Sequence, residues 1–372
     1  SNSDNVSNSD NVDSSSDVQL KSAEHRTQSL DWLTRLIAFD TVSRHSNLAL
    51  INDVKSYCEQ LGLTVDLTFN EAKTKANLFV TVPAGENADI INNGLVLSGH
   101  TDVVPVDGQA WSSEPFTATI RGDKLYGRGA CDMKGFIACA LTILPQAVQL
   151  SNSGQLRRPL HLALSFDEEV GCLGAPLILA DLKARGITPD YCIVGEPTNM
   201  AMVVAHKGIA VYRCRVHGKS AHSSLIAQGV NIVPNLCEFT FDYRNLPHMT
   251  QDDILAPIQA KVAELNAQMQ ARAPETGIEL MQEESVPAMT DSDSAELQSL
   301  IAALTGDDER HKVAYATEGG QFTNAGIPTI ICGPGSIEQA HKADEYVELS
   351  EIERCDAFLK KLLDSCTTQP SM

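Results

Sequence analysis

The stretch "LHLALSFDEE", residues 160–169, is a short apolar run that ends in three acidic residues. Two other runs share this form: "LVLSGHTD" at residues 95–102 and "YCIVGEPT" at residues 191–198. Each run has the length and apolar content of a buried strand. Because ligands of open parallel sheets bind beyond the carboxyl ends of the strands, the polar residues at the ends of these runs are predicted to converge on one rim.

The regions around these runs alternate between strand-like and helical patterns. A strand-like run "ANLFVTVP" begins at Ala76, and helical patterns follow Lys134 and span residues 176–185. This alternation predicts an α/β fold with a largely parallel sheet flanked by helices. Beyond His206 the pattern becomes "IAVYRCRVHG", "CEFTFDYRNL", a helix from Gln251 to Met269, and "GIELMQEES". These segments predict antiparallel strands with one helix on one face, hence a small inserted α+β domain.

The sequence predicts three regions. Residues 1–22 carry the repeat "SNSDNV" and almost no apolar side chains, so a disordered acidic tail is expected. Residues 23–205 and 290–372 are predicted to form one discontinuous α/β domain. Residues 206–289 are predicted to form the small α+β domain inserted into it.

Composition limits the classes of function. The 372 residues contain 28 Lys and Arg and 48 Asp and Glu, a formal net charge of -20. Such a surface repels phosphates, which disfavours nucleic acid and anionic membranes as partners, and attracts divalent cations. Ten cysteines without a CxxC pair are consistent with a reducing, cytoplasmic location. We expect no apolar stretch to approach the about 20 residues that a membrane-spanning helix needs, and no apolar core of a signal peptide. Membrane insertion and secretion are therefore not predicted.

Several polar residues have the chemistry of metal ligands. His100 and Asp102 lie two positions apart and therefore on the same side of an extended chain. Asp102 is expected to hold the second imidazole nitrogen and so fix the tautomer of His100. Asp132 lies in the glycine-flanked turn "GRGACDMKG". Each of these features alone has a more ordinary explanation, such as a helix N-cap for Asp132.

The remaining candidates also follow strand-like or glycine-rich segments. Glu168 and Glu169 are adjacent carboxylates that repel each other unless a cation or a proton separates them. Glu196 repeats the strand-end placement, and His341 follows a glycine-rich turn. Taken together, two histidines and several carboxylates form a nitrogen and oxygen ligand set that suits zinc, cobalt or manganese.

These motifs resemble those of the di-zinc aminoacylase and exopeptidase family, which includes acetylornithine deacetylase, succinyl-diaminopimelate desuccinylase and glutamate carboxypeptidase. The resemblance extends from about Ser29 to Cys366, and its most specific parts are "GHTDVVPV", "KLYGRGACDMKG", "DEEVGCLGA", "VGEPT", "HGKSAHSS" and "GPGSIEQAHKADEYV". Within the family, "AHKG", "ATEGGQF" and "CGPGSIEQAHKADEYVEL" are most similar to members that deacetylate N-acetyl-L-ornithine.

The resemblance implies a role for each matching position. Asp132 is expected to bridge two Zn²⁺ or Co²⁺ ions, of which one is bound by His100 and Glu196 and the other by Glu169 and His341. Glu168 is expected to be the general acid/base, Asp102 to support the ligands, and His222 to donate to the oxyanion. The residues implied to hold the substrate carboxylate are Asn231, Arg244, Gly333, Gly335 and Ser336.

The implied activity is metal-dependent hydrolysis of the amide of N-acetyl-L-ornithine, a step of arginine biosynthesis, on a small-molecule N-acyl amino acid. Two alternatives stay open within this class: desuccinylation of succinyl-diaminopimelate, and general hydrolysis of N-acyl amino acids or dipeptides. A catalytically impaired metal-binding relative is the alternative of another class. A thiol enzyme is disfavoured, because no cysteine is paired with a base in the sequence pattern.

The chain departs from the family pattern in the small domain. His222 and Asn231 are nine positions apart, and an average helix of about 11 residues plus a strand of about 5 cannot fit between them. The sequence therefore predicts a truncated lid domain of strand, strand, helix and strand. The family implies a homodimer, but the missing helix and strand are the elements that usually build its interface.

Overall fold

The computed structural model describes residues 27–222 and 232–367. In chain order, helices α1 to α8 are Gln28–Ile37, Leu48–Gln60, Gly135–Asn152, Ala175–Arg185, Gln251–Arg272, Ala295–Thr305, Gly319–Asn324 and Leu349–Ser365. Strands β1 to β9 are Val65–Phe69, Ala76–Val82, Leu95–His100, Thr119–Arg121, Lys124–Tyr126, Leu160–Ser165, Tyr191–Val194, Val203–His206 and Ile209–His217. Strands β10 to β16 are Ala221–His222, Ile232–Val233, Leu236–Tyr243, Gly277–Val286, His311–Val313, Thr329–Ile331 and Tyr346–Glu348.

The largest sheet has eight strands in the order β1-β2-β6-β3-β7-β15-β8-β14. Its centre is parallel, because β3 pairs in parallel with both β6 and β7, and β7 with β15. β14 also pairs in parallel with β8, whereas β1, β2 and β6 are joined by antiparallel ladders and β15 meets β8 antiparallel. The predicted α/β fold with a largely parallel sheet and an inserted lid is confirmed.

Helices cover both faces of this sheet. All six residues of β3 are buried, as are all six of β6. Leu95 and Leu97 pack into a hydrophobic cluster with α3, while Val96 between them packs into a second cluster with α4. This alternation places one strand between two apolar layers, so the strand ends at the rim are held by burial on both sides.

The inserted segment forms a separate antiparallel sheet with the strand order β12-β9-β13 and helix α5. The helix begins at a capping box of Thr250 and Asp253, and it ends at Arg272, three residues beyond the predicted Met269. A short ladder pairs Ala221–His222 with Ile232–Val233, an element that the sequence patterns did not predict. The predicted tail over residues 1–22 lies outside the described residues.

One helical segment of 23 residues, Ala130–Asn152, is long and apolar enough to cross a membrane by length and composition. The expectation that no apolar stretch approaches this length is therefore wrong. Of its apolar 18-residue window, 67% is buried inside the protein, as expected for a core helix, so its length is weak evidence for a membrane span.

Gly195 links β7 to Glu196 against a fully buried phenyl ring. A Cβ atom at Gly195 would lie 1.9 Å from Phe136 Cγ. We expect Gly195→Ala to lower the free energy of unfolding by about 3 kcal/mol, because overpacking forces side chains and backbone to shift. The matched control is Gly277→Ala, where the nearest atoms belong to side-chain ends at 3.4 Å and 3.5 Å. Urea unfolding that gives equal losses for both variants would contradict this expectation.

Candidate metal centre

Three parallel neighbouring strands end at one edge of the main sheet. His100 is the last residue of β3, Glu168 and Glu169 follow β6, and Glu196 follows β7 by two positions. Because β6, β3 and β7 are adjacent and parallel, their carboxyl ends bring these four side chains to the same rim. The structure therefore brings together the polar residues that follow the three apolar runs.

Asp132 lies at the centre of this group. Its Oδ1 is 3.0 Å from His100 Nε2, and its Oδ2 is 3.2 Å from His341 Nε2. The two oxygens of one carboxylate thus face two imidazoles on opposite sides. Asp132 reaches this position from the helical turn Ala130–Lys134, which begins after β5 and leads into α3.

The side chains fall into two groups that share Asp132. His100 and Glu196 form the first, with His100 Nε2 3.5 Å from Glu196 Oε1. Glu169 and His341 form the second, with His341 Nε2 3.1 Å from Glu169 Oε2. Within each group, one potential ligand atom from every residue lies within 4.8 Å of the others.

Burial and like charge dominate the electrostatics of the carboxylates. Burial, followed by the charge of Asp132, raises the pKa of Glu169 to about 7 and that of Glu196 well above its usual range. Burial likewise raises the pKa of Glu168, with His100 opposing it. Burial also disfavours ionised Asp132, but hydrogen bonds from the two imidazoles hold its pKa low.

The pKa values of the two imidazoles are shifted in the opposite sense to those of ordinary buried histidines. Hydrogen bonds to Asp132 and then Glu169 raise the pKa of His341 to about 10. Burial opposes charge on His100, yet the carboxylates of Glu196 and Glu168 keep its pKa well above the usual value. The rim is therefore an anionic site in which each imidazole faces carboxylates.

Asp102 holds the loop that carries the two glutamates. Its Oδ1 accepts a hydrogen bond from Glu168 N at 3.0 Å and its Oδ2 one from Glu169 N at 3.2 Å. His100 Nδ1 lies 2.8 Å from the main-chain oxygen of Asp102 and 3.5 Å from its carboxylate. The atom nearest to Nδ1 is thus the carbonyl, whereas the sequence interpretation assigned this position to the Asp102 side chain.

Glu168 lies beside the two groups without bridging the imidazoles. Its Oε2 is 3.9 Å from His100 Nε2, and its Oε1 accepts a weak hydrogen bond from Cys172 Sγ at 3.5 Å. Burial raises the pKa values of the Cys172 and Cys131 thiols well above the usual range, so neither is a thiolate at neutral pH. This agrees with the sequence analysis, which disfavours a thiol enzyme.

Glu345 orders the turn that carries Asp132, and sequence reasoning missed it. Its Oε1 accepts hydrogen bonds from Cys131 N and Asp132 N, both at 3.0 Å. Its Oε2 accepts from Gly129 N at 3.0 Å and forms a buried ion pair of 2.9 Å with Arg128. Its place four residues after His341 in "HKADEYV" was the available signal.

Two further acidic residues near the rim were given no role in the sequence analysis. Glu318 is fully buried and accepts hydrogen bonds from Ser98 Oγ at 2.7 Å and Ser165 Oγ at 2.6 Å, one from each central strand. Asp167 pairs with Lys75 Nζ at 2.5 Å. Glu318 lies in the quoted motif "ATEGGQF", but nothing in that motif indicates which strands it contacts.

The predicted substrate-binding residues are less uniformly placed. Asn231 lies outside the described residues, as does the side chain of His222, whose backbone pairs with Ile232. Arg244 Nη1 donates to Ala314 O at 3.3 Å. The N–H groups of Gly333 and Gly335 already donate to Thr198 Oγ1 and Glu351 Oε2. Those two amides are committed within the protein and are not free for a substrate carboxylate.

The two groups fit divalent cations. Each offers imidazole nitrogen and carboxylate oxygen, the donor set of zinc and cobalt sites. Among the described residues, the buried atoms Glu169 Oε1 and Glu196 Oε1 have no hydrogen-bond partner. Because a buried carboxylate oxygen without a partner is costly, positive charge at these positions would complete both groups.

Comparisons with known proteins agree with this arrangement. The model of peptidase family M20/M25/M40 matches residues 96–365. An acetylornithine deacetylase from Aliivibrio fischeri is 32% identical over 386 aligned positions, which include 90% of this chain and 97% of the relative. The alignment is longer than this chain, although part of the chain lies outside it. The alignment therefore contains gaps in this chain, at which the relative has segments that this chain lacks.

Two solved structures have a similar fold. An M20 family metallo-carboxypeptidase from Sulfolobus solfataricus has a TM-score of 0.70 at 16% identity, and the match covers 92% of this chain and 99% of that protein. A dinuclear metal-binding M20 peptidase from Bacillus subtilis has a TM-score of 0.61 at 12% identity, covering 90% of this chain and 96% of its own.

The raised pKa values predict how stability depends on pH when no metal is bound. Carboxyls whose folded pKa exceeds the unfolded value contribute stability that is lost as pH rises through the folded pKa. Glu169 therefore destabilises the metal-free protein progressively between about pH 4.5 and 7. We expect the Tm of chelator-treated protein to fall over this range in calorimetry, and to fall less in Glu169→Gln. Equal slopes in both proteins would contradict the expectation, and zinc-saturated wild type is the control.

The buried pair of Glu345 and Arg128 predicts a large loss of stability. Glu345→Ala leaves a buried guanidinium without its anionic partner and three backbone amides without their acceptor, so we expect the free energy of unfolding to fall by about 3–5 kcal/mol. The control is Glu348→Ala, an exposed carboxylate three residues on that makes no capping hydrogen bond. Adding Arg128→Met to Glu345→Ala should recover part of the loss in urea unfolding, and a further loss would contradict this account.

Proposed function

The chain belongs to peptidase family M20/M25/M40, and we propose that this metal-dependent hydrolase removes the acetyl group from N-acetyl-L-ornithine. The products are acetate and L-ornithine, which places the reaction in arginine biosynthesis. The observation that carries the proposal is the carboxylate of Asp132 between two imidazoles, with Glu168 beside it. Support for the substrate comes from the relative named acetylornithine deacetylase, which the chain matches over nearly that relative's full length.

We propose two Zn²⁺ or Co²⁺ ions per chain. His100 and Glu196 would hold one ion, Glu169 and His341 the other, and Asp132 would contact both. Bound there, the ions would polarise the amide carbonyl and lower the pKa of a water molecule toward neutrality. The description of the Bacillus subtilis structure as dinuclear supports a two-ion centre.

Glu168 is the proposed general acid and base. Among the described residues, its carboxylate has no contact as short as those that join Asp132 to the imidazoles, so it remains free to accept a proton. It takes a proton from the attacking water and returns it to the departing amine nitrogen. Burial raises the pKa of Glu168, which favours the protonated form between these two transfers.

Asp102 fixes Glu168 for this role through the peptide N–H rather than through the side chain. A carboxylate that accepts hydrogen bonds from two successive amides restricts the backbone of the glutamate pair. One glutamate can therefore act as a base while its neighbour acts as a ligand. This division of work between Glu168 and Glu169 follows from a single anchored loop.

We propose that His222 donates a hydrogen bond to the oxyanion, and that Asn231, Arg244 and Ser336 hold the substrate carboxylate. For Gly333 and Gly335 the proposal is limited to shaping the loop, because their N–H groups have partners within the protein. Loss of one oxyanion donor typically costs about 10²- to 10³-fold in rate.

The domain assignment is also part of the proposal. Residues 23–205 and 290–372 would form the catalytic domain and residues 206–289 a truncated lid. A homodimer would then need an interface other than the missing lid helix and strand. All ten cysteines are free and nine are buried, which supports a reducing compartment such as the cytoplasm.

The test is steady-state hydrolysis of N-acetyl-L-ornithine by the purified chain, with zinc or cobalt and after treatment with a chelator. We expect turnover that is lost on chelation and restored by metal. Glu168→Gln should lower kcat by about 10²- to 10⁴-fold while metal content, measured by mass spectrometry, stays at two ions. The control Glu338→Gln changes an exposed carboxylate three residues before His341 and should retain turnover.

Two outcomes would count against the proposal. Undiminished turnover by metal-loaded Glu168→Gln would remove Glu168 as the base. A folded, metal-loaded wild type that hydrolyses other N-acyl amino acids but not N-acetyl-L-ornithine would keep the reaction class and reject the substrate.

A further inference from the structure

The face of the small sheet that is turned away from α5 carries a ladder of charged side chains. Arg213 pairs with Glu238 at 2.9 Å and with Glu283 at 2.5 Å, and Arg215 pairs with Glu238 at 2.5 Å. Glu284 follows Glu283 at a shift in the register between β13 and β9. The backbone of Glu284 pairs with Val211 of β9, but its side chain forms neither a hydrogen bond nor an ion pair with the described residues. It is thus the unpaired carboxylate of this ladder.

Glu284 lies against the loop that follows the catalytic glutamates. A Cβ atom at Gly171 would be 3.5 Å from Glu284 Cγ and 3.6 Å from Glu284 Cβ. Gly171 is two residues after Glu169, so their Cα atoms are at most about 7 Å apart. Glu284 therefore lies on the lid side of the rim that carries the metal-binding groups.

The surroundings of Glu284 are apolar on the catalytic-domain side. A Cβ atom at Gly171 would also be 3.7 Å from Leu173 Cδ2, and Leu173 is 51% exposed. Val170, which precedes Gly171, is 38% exposed. Aliphatic surface beside a single carboxylate is the chemistry that accepts a methylene chain ending in an ammonium group.

The electrostatics of Glu284 agree with this geometry. It is half-buried, and burial followed by the charge of Glu283 raises its pKa. A cation at this point would be attracted by both carboxylates, and only Glu283 already has an arginine partner. An anionic side chain would be repelled by the same pair.

We propose that Glu284 binds the cationic side chain of the substrate and thereby selects N-acyl amino acids that carry a terminal ammonium group. This inference rests on the proposed function, because it assigns the substrate class of the same site. The methylene chain packs on Leu173, the ammonium pairs with Glu284, and the acyl amide lies at the metal-binding groups. Glu284 is a specificity residue, and it takes no part in the bond-breaking step.

The experiment compares N-acetyl-L-ornithine with N-acetyl-L-norleucine, in which a methyl group replaces the ammonium. For the metal-loaded full chain we expect kcat/KM to favour the ornithine derivative by about 10- to 100-fold, the value of a hydrogen bond to a charged group. Glu284→Gln should reduce this ratio by at least about 10-fold, and Glu284→Lys should shift preference toward N-acetyl-L-glutamate. The matched control is Glu279→Gln, an exposed carboxylate on the same strand and face, which should keep the wild-type ratio.

A second readout does not require turnover. Calorimetry would measure the binding of L-ornithine and L-norleucine, which carry no acyl amide to hydrolyse, to metal-loaded wild type, Glu284→Gln and Glu279→Gln. We expect only Glu284→Gln to lose the preference for L-ornithine. Circular dichroism spectra would verify that each variant has the wild-type fold.

The outcomes separate this inference from the proposed function. Turnover of N-acetyl-L-ornithine with an unchanged ratio in Glu284→Gln, or an equal loss in Glu279→Gln, would overturn the role of Glu284 and leave the deacetylase proposal intact. Absence of that turnover, together with Glu284-dependent binding of L-ornithine, would overturn the substrate and support the subsite. Absence of both would overturn both.

Discussion

The carboxylate of Asp132, held between His100 and His341, is the interaction on which the rest of the centre depends. Each of its oxygens faces one imidazole, at 3.0 Å and 3.2 Å. The two imidazoles, at positions 100 and 341, are far apart in the sequence, and each is accompanied by one further carboxylate. Burying this much negative charge is unfavourable unless positive charge accompanies it. The chemistry of the rim therefore favours a site that binds cations.

The support for this arrangement comes from acidic side chains that face backbone amides and hydroxyls. Asp102 holds the amides of the glutamate pair, and Glu345 holds the amides around Asp132. Glu318 links the hydroxyls of the two central strands below the rim. None of the three occupies a proposed ligand position, yet they determine where the ligands lie. The protein thus uses two sets of carboxylates, one that orders the backbone and one that faces the cations.

The fold and the rim residues could be predicted because they depend on local patterns. An apolar run of strand length followed by a polar residue is visible in the sequence, and parallel neighbours necessarily end at the same edge. The supporting contacts could not be predicted in this way, since Glu345 and Asp132 are 213 residues apart and Ser98 and Glu318 are 220 apart. The same limit applies to Gly333 and Gly335, whose role in holding the substrate carboxylate stays a prediction. A glycine-rich loop indicates available amides, but only the structure shows that Thr198 and Glu351 already bind them.

The lid places a different demand on the chain from the catalytic rim. The rim is fixed by strands buried on both faces, so its chemistry tolerates little variation in backbone position. The lid sheet meets the rim through exposed and half-buried charged side chains, whose replacement costs little stability. A lid truncated as we propose would therefore retain the residue that discriminates between substrates. In this chain the discriminating charge would be Glu284, because Glu238 and Glu283, the other two glutamates of the ladder, are already neutralised by arginines.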